Sequence, residues 1–207
     1  MSEGWGLRVA LIRHAPTRGN LVGCYIGATD EGLSEQGREM AKGTRAAYAQ
    51  LRIQALFTSG MQRCDETAGL VFPGLAPIRV PELAEMRFGA FEGKTYAELS
   101  GDARYRAWVD AQCQTSCPGG EDQAGFIARV RKAFEKTLDR CAAERIESAA
   151  FLIHAGTIMA AMSELARPRK GYWEWKVPYC SGFSTCAHQT ENGWRLVDVK
   201  PLTTYIE

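Results

Sequence analysis

Two histidines stand where apolar runs give way to loops. Leu7 to Ile12 (LRVALI) leads into Arg13-His14-Ala15-Pro16-Thr17, and Ala149 to Ile153 (AAFLI) leads into His154-Ala155-Gly156-Thr157. A neutral imidazole, with a reference pKa of about 6.5, is a fair nucleophile near neutral pH once its other ring nitrogen is hydrogen-bonded and the tautomer fixed. Arg13 beside His14 suggests the electrophile. A planar guanidinium meets two phosphate oxygens at once, and phosphoryl transfer needs chiefly positioning and charge stabilisation. A second arginine, Arg63, lies in Ser59-Gly60-Met61-Gln62-Arg63-Cys64-Asp65-Glu66-Thr67-Ala68. With Ser59 as N-cap, Arg63 and the free N–H groups of that helix end would face an anion together, with Thr67 one turn further along the same face. One loop histidine or one surface arginine is ordinary. Two histidines at two strand ends, one flanked by arginine, form a pattern.

A proton donor for the leaving group is the missing part. Glu82-Leu83-Ala84-Glu85-Met86-Arg87-Phe88-Gly89-Ala90-Phe91-Glu92-Gly93 offers three carboxyls. One of them, buried beside the pocket, would have a raised pKa and could hold a proton near neutral pH. The pattern alone does not choose between Glu82, Glu85 and Glu92.

The elements that must position these groups follow from periodicity. Leu7 to Ile12 and Ala149 to Ile153 read as buried strands, and Ile53 to Phe57 and Ile78 to Val80 read as two further strands. Phe183 to Ala187 and Trp194 to Val199 read as two last strands joined at Glu191-Asn192-Gly193, with His188 structural in an edge strand. Helices are expected from Ser34 to about Gln50, from Ser59 to Val71, from Asp122 to about Ala143 and from Thr157 to Leu165. In the third of these, Phe126, Val130, Phe134, Thr137 and Leu138 share a face. Strands alternating with helices predict an α/β fold, a three-layer α/β/α sandwich with a mostly parallel central sheet. Ligands of such sheets bind beyond the carboxyl ends of the strands. A single domain over 1–207 is expected, with 94–118 a small cap.

Composition narrows the partners. The net charge is +1 over 207 residues, so no global field points to nucleic acid or an anionic membrane. The start carries no signal-peptide pattern and no apolar run approaches a membrane span, so a cytoplasmic location is the expectation. Seven scattered cysteines with three histidines and no Cys-x-x-Cys pair read as reduced thiols, with no metal site.

In chain order the pieces are Arg13-His14, Asn20, Ser59-x-x-x-Arg63-x-x-x-Thr67-Ala68, Leu83-x-Glu85, Gly89-x-Phe91-Glu92-Gly93, Pro118-Gly119-Gly120-Glu121 and His154-Ala155-Gly156. Together they resemble the histidine phosphatase superfamily, also called phosphoglycerate mutase-like, over nearly the whole chain. The resemblance implies His14 as the phosphohistidine nucleophile and Glu85 as the proton donor. It implies Arg13, Arg63 and His154 as the rest of the phosphate pocket. Asn20, Thr17, Gly156 and Thr157 would be further phosphate or substrate contacts, with no cofactor and no metal. The substrate would be a small-molecule phosphate ester and the product inorganic phosphate, from a monomer or homodimer.

The stretches Gly23 to Asp30 and Phe88 to Tyr96 look most like the α-ribazole phosphatase branch, which acts late in cobalamin assembly. Tyr25, Tyr96, Tyr105, Trp108, Trp173 and Trp175 are aromatic candidates to stack on a benzimidazole. The chain departs from the family at Ala15 and Ala155, where glycine is usual, and at Asp122, where many relatives have serine. Two alternatives stand beside hydrolysis. A cofactor-dependent phosphoglycerate mutase usually carries a longer insertion than the Lys94 to Cys117 found here. A non-catalytic phosphate-binding module tends to have lost the nucleophile or proton donor that this chain keeps.

Overall fold

The two apolar runs that end in histidine lie side by side. In the computed structural model, which describes residues 6–203, the chain begins with β1 (Leu7–Arg13), α1 (Arg18–Leu21), α2 (Glu35–Ala49), β2 (Ala55–Thr58), α3 (Gln62–Val71) and β3 (Ile78–Arg79). It continues through α4 (Tyr96–Leu99), α5 (Ala103–Asp110), α6 (Gln123–Ala143), β4 (Ser148–Ile153), α7 (Ala155–Leu165), β5 (Gly182–Thr190) and β6 (Gly193–Leu202). Short 3₁₀ turns occupy Pro81–Leu83, Gly89–Phe91 and Tyr172–Trp175. The six strands form a sheet in the order β3-β2-β4-β1-β5-β6. The first four in that order are parallel, and β5 and β6 complete it as an antiparallel hairpin.

The period of two along the central strands explains the layering. Leu7, Val9 and Leu11 of β1 join Ala149, Phe151 and Ile153 of β4 in one core, covered by Phe126, Val130, Phe134 and Leu138 of α6 and by Ile158 and Met162 of α7. The intervening Ala10, Ile12, Ala150 and Leu152 face the other side, against Ala41 and Tyr48 of α2 and Cys64, Ala68 and Val71 of α3. This is the expected three-layer α/β/α sandwich. β4 is buried along its whole length, as a central strand covered on both faces should be.

Two helix starts carry side-chain caps, the first at Ser34 as expected. Ser34 Oγ accepts from Gly37 N at 2.9 Å, and Asp122 Oδ1 accepts from Gly125 N at 2.7 Å. Asp122 thus does the capping work that a serine there would do. A third cluster, outside the sheet, gathers Phe91, Leu99, Tyr105, Trp108 and Cys117 with the rings of Tyr25 and Phe88. Most of it comes from the 94–118 stretch. No helix among the described residues is long and apolar enough to cross a membrane.

Several expected boundaries move. The second strand starts at Ala55 rather than Ile53, and β3 ends at Arg79. The final helix starts at Ala155, with His154 itself as N-cap. His188 is not in an edge strand. Its strand, β5, lies between β1 and β6, and β6 forms the edge. Ser59 does not cap α3. Gly60 at φ +80° interrupts the chain after it, Met61 takes the cap position without a side-chain bond, and Asp30 reaches in so that its Oδ1 accepts from Gln62 N at 2.7 Å. The anion at that helix end is therefore the protein's own carboxylate, which satisfies the free N–H and complements the helix dipole.

Candidate active site

The parallel register that pairs Arg13 with Ile153 puts the next residues, His14 and His154, together. His14 N donates to Ile153 O at 2.9 Å, and the two imidazole centroids are 5.1 Å apart at 68°. Both rings are buried. His14 Nδ1 lies 2.7 Å from Ala15 O. A carbonyl only accepts, so Nδ1 carries the proton and Nε2 keeps its lone pair. Arg63 Nε donates to His154 Nδ1 at 3.3 Å. That assigns the His154 proton to Nε2, which donates to Ser59 Oγ at 2.8 Å. Burial, and after it the Arg63 charge, pulls His14 down to about 3. The same two causes hold His154 well below the ordinary histidine value. Both rings are neutral at neutral pH.

Two guanidinium groups flank the imidazoles. Arg63 is fully buried. Its Nη1 donates to Thr29 O and its Nη2 to Gly27 O, each at 2.8 Å, so it also anchors the 27–29 loop. Arg13 rests 3.6 Å over the Tyr179 ring and donates from Nη1 to Val177 O at 2.8 Å. Its Nε is buried with no hydrogen-bond partner among the described residues. Such a donor costs roughly 1–3 kcal/mol unless a ligand satisfies it. Two cations beside two neutral imidazoles suit a doubly charged phosphate monoester.

Geometry separates the three carboxyls. Glu82 is exposed. Glu92 accepts from Phe88 N at 3.0 Å, Ala28 N at 2.8 Å, Gly27 N at 3.1 Å and Thr29 Oγ1 at 2.8 Å. Burial pushes its carboxyl up, but these bonds outweigh that and hold it below the ordinary value, so it staples loops together as an anion. Glu85 accepts from Gly156 N and Met86 N, each at 3.0 Å. There desolvation outweighs both bonds and the pull of Arg63 and Arg13, and its pKa is raised. Of the three, Glu85 is the one whose surroundings favour keeping a proton.

A clamp holds the Glu85 loop. Arg129 of α6 donates from Nη1 to Glu82 O at 2.7 Å and Ala84 O at 3.1 Å. It also grips Glu121 through Nε at 2.9 Å and Nη2 at 2.8 Å. Thr157 Oγ1 donates to Leu83 O at 3.2 Å, tying the same loop to α7.

The structure brings His14, His154, Arg13, Arg63, Glu85 and Gly156 together. The other candidates have local partners. Thr17 and Asn20 form a reciprocal cap on α1, with Asn20 N donating to Thr17 Oγ1 at 3.1 Å and Thr17 N to Asn20 Oδ1 at 3.2 Å, and Thr17 Oγ1 also donates to Glu31. The Gly156 N–H is spent on Glu85. Tyr25 Oη bonds Tyr105 Oη at 2.7 Å. Ser59 as partner of His154, Arg129 as the loop clamp and Tyr179 beneath Arg13 were not singled out for these roles. Only Glu121, in the Pro-Gly-Gly-Glu run, hinted at the clamp. Among the described residues no group of three or more His, Cys, Asp or Glu side chains is arranged to hold a metal ion.

The family model of the histidine phosphatase superfamily (branch 1) matches residues 9–200. An adenosylcobalamin/alpha-ribazole phosphatase of Salmonella typhimurium is 28% identical over 193 residues, which is 86% of this chain and 94% of that protein. A 2,3-bisphosphoglycerate-dependent phosphoglycerate mutase of Brucella ovis is 32% identical over 135 residues, 59% of this chain and 64% of that protein. The crystal structure of an alpha-ribazole phosphatase from Shigella flexneri superimposes with a TM-score of 0.80 at 24% identity, covering 96% of each chain.

Proposed function

The chain belongs to the histidine phosphatase superfamily and is a phosphatase, and on that premise we propose that His14 takes the phosphoryl group of a small-molecule phosphate monoester. The observation that carries the reading is the Nδ1–H of His14 fixed on the Ala15 carbonyl. It leaves Nε2 with a lone pair in a pocket where Arg13 Nε awaits an acceptor.

The ester dianion lies between Arg13 and Arg63. His14 Nε2 attacks phosphorus in line, and the N–P bond forms as the ester P–O bond breaks. The leaving oxygen takes the proton of Glu85. The positive charge on the phosphorylated ring is offset by the phosphoryl oxygens and by the Ala15 carbonyl. In the second half, the Glu85 carboxylate takes a proton from water, whose oxygen attacks phosphorus. Inorganic phosphate leaves and His14 returns neutral. His154 donates to the phosphoryl oxygens when Nε2–H turns from Ser59. The arginines act by preorganised charge in a site from which water is largely excluded.

α-Ribazole 5′-phosphate is the proposed substrate, with a place in cobalamin assembly. Relatives named for that activity match along 86% of this chain. A second reading, phosphoglycerate mutation, is favoured by the Brucella ovis relative. A panel of α-ribazole 5′-phosphate, sugar phosphates, phosphoglycerates and nucleotides separates them. Phosphate release fastest from the ribazole ester supports the first reading. Fast conversion of 3-phosphoglycerate to 2-phosphoglycerate with a trace of 2,3-bisphosphoglycerate supports the second. Glu85→Gln should slow esters of aliphatic alcohols far more than p-nitrophenyl phosphate, because only the former need the proton. Equal losses on both would remove Glu85 from the role.

A further inference from the structure

A cavity of about 280 Å³ opens on the Glu85 and Gly156 side of the imidazole pair. Tyr25, Phe88, Trp108, Met159, Tyr172 and Trp173 supply half of its lining residues. The polar tips of three of its aromatic residues are hydrogen-bonded within the protein. Tyr25 Oη bonds Tyr105 at 2.7 Å, Trp108 Nε1 donates to Thr115 O at 3.0 Å, and Tyr172 Oη reaches Gly156 O at 3.5 Å. What these side chains offer the cavity is therefore ring surface. The rings also fix one another. Tyr25 meets Phe88 edge-on at 5.1 Å and Trp108 at 5.7 Å, so the wall is set before anything enters. Trp173, edge-on to Tyr172 at 5.1 Å, is 42% exposed and forms the rim. Among the described residues no lysine or arginine lines the space, and the one acidic side chain in it is Glu85.

We propose that this cavity is the leaving-group site, that it selects an uncharged aromatic group carried on the phosphorylated alcohol, and that it rejects esters with a second anion. The inference rests on the phosphohistidine reading, because Glu85, the proton donor of that reading, also lines this cavity. An apolar ring entering here leaves water for ring faces already in place, which makes its burial favourable without ordering new side chains. A carboxylate or second phosphate would lose its hydration there and find no lysine or arginine among the described lining residues to pair with. The size suits one ring system rather than an extended chain. Of the six aromatic residues considered for stacking, Tyr25, Trp108 and Trp173 line the cavity, and Tyr96, Tyr105 and Trp175 do not.

The test holds the chemistry of the leaving oxygen constant. kcat/KM is measured for 2-(1-naphthyl)ethyl phosphate, propyl phosphate and 3-phosphoglycerate, and affinity by calorimetry for the non-hydrolysable naphthylethyl and propyl phosphonates. The naphthyl ester should exceed propyl phosphate on the order of a hundredfold, and 3-phosphoglycerate should fall below propyl phosphate. Trp173→Ala should cut the naphthyl-to-propyl ratio by about tenfold, and Trp173→Phe should keep most of it. Turnover of all three esters with ratios near unity, unchanged in Trp173→Ala, overturns the cavity assignment and leaves the phosphohistidine reading intact. No turnover of any ester, with the naphthyl phosphonate still bound on the order of a hundredfold more tightly, supports the cavity and removes that reading.

Discussion

Gly156→Ala isolates the seat of Glu85. A Cβ built on Gly156 would lie 3.0 Å from Glu85 Cδ and 3.3 Å from Oε2, and well inside contact distance of Oε1. The obstacle is the far end of a flexible side chain, so the carboxyl yields by about 1 Å rather than the backbone. Stability should change little. Alanine improves helix propensity by up to about 1 kcal/mol, while weakening one hydrogen bond costs a similar amount. Catalysis should not be so tolerant. A misplacement of about 1 Å at a reacting group can cost on the order of a hundredfold, or about 2.7 kcal/mol of barrier. The loss should appear in kcat for propyl phosphate, whose alkoxide needs the proton, and be about twofold or less for p-nitrophenyl phosphate. A matching thermal melt excludes misfolding. Equal losses on the two esters would show the Gly156 region binding phosphate rather than seating Glu85. No loss on either would remove Glu85 as the acid.

Other expectations follow from the same geometry. Arg129→Met removes the grip on the carbonyls of Glu82 and Ala84 and strands Glu121. It should cost about 2 kcal/mol in denaturant unfolding and slow aliphatic esters about tenfold more than p-nitrophenyl phosphate. Raising pH through the elevated pKa of Glu85 deprotonates the acid, so kcat/KM for aliphatic esters should fall on the alkaline side, and that limb should vanish in Glu85→Gln. Stability should also depend on pH. The folded values of His14 and His154 are depressed, so below about pH 6.5 the unfolded chain binds protons that the folded chain refuses, and stability drops. Glu85, with a raised folded value, opposes this. Two imidazoles against one carboxyl leave a net loss approaching about 1.4 kcal/mol per unit between pH 6 and 5. Chemical unfolding at both pH values reads it, and a flat profile would contradict the neutral buried imidazoles.

The parts of the molecule legible in the sequence are those that local chemistry decides. β1 and β4 are short apolar runs that read as buried strands, and Ser34 caps the helix that follows it. The convergence of His14 and His154 needed one further rule, that neighbouring parallel strands bring their carboxyl ends together. Ser59 misled because a serine ahead of a helical pattern is the ordinary cap signal. Its actual partner, His154, lies 95 residues away, beyond any local pattern. Arg63 was legible by type, but the carbonyls of Gly27 and Thr29 that hold it were not. The choice among Glu82, Glu85 and Glu92 turned on the number of N–H groups reaching each carboxylate and on burial, which only the assembled loops determine. Arg129 offered no signal, since one arginine on a long amphipathic helix reads as a solvated residue until the 82–85 loop is laid across it.

The most direct measurement is of the phosphorylated residue itself. The enzyme is mixed with excess phosphate ester, quenched within milliseconds into alkali and digested, and the phosphopeptide is mapped by mass spectrometry. The expected result is a phosphoryl group on His14 Nε2, stable in base and lost in mild acid, and absent from a folded His14→Ala variant that has lost nearly all turnover. Phosphate release persisting in His14→Ala, or an acid-stable label on another residue, would contradict it.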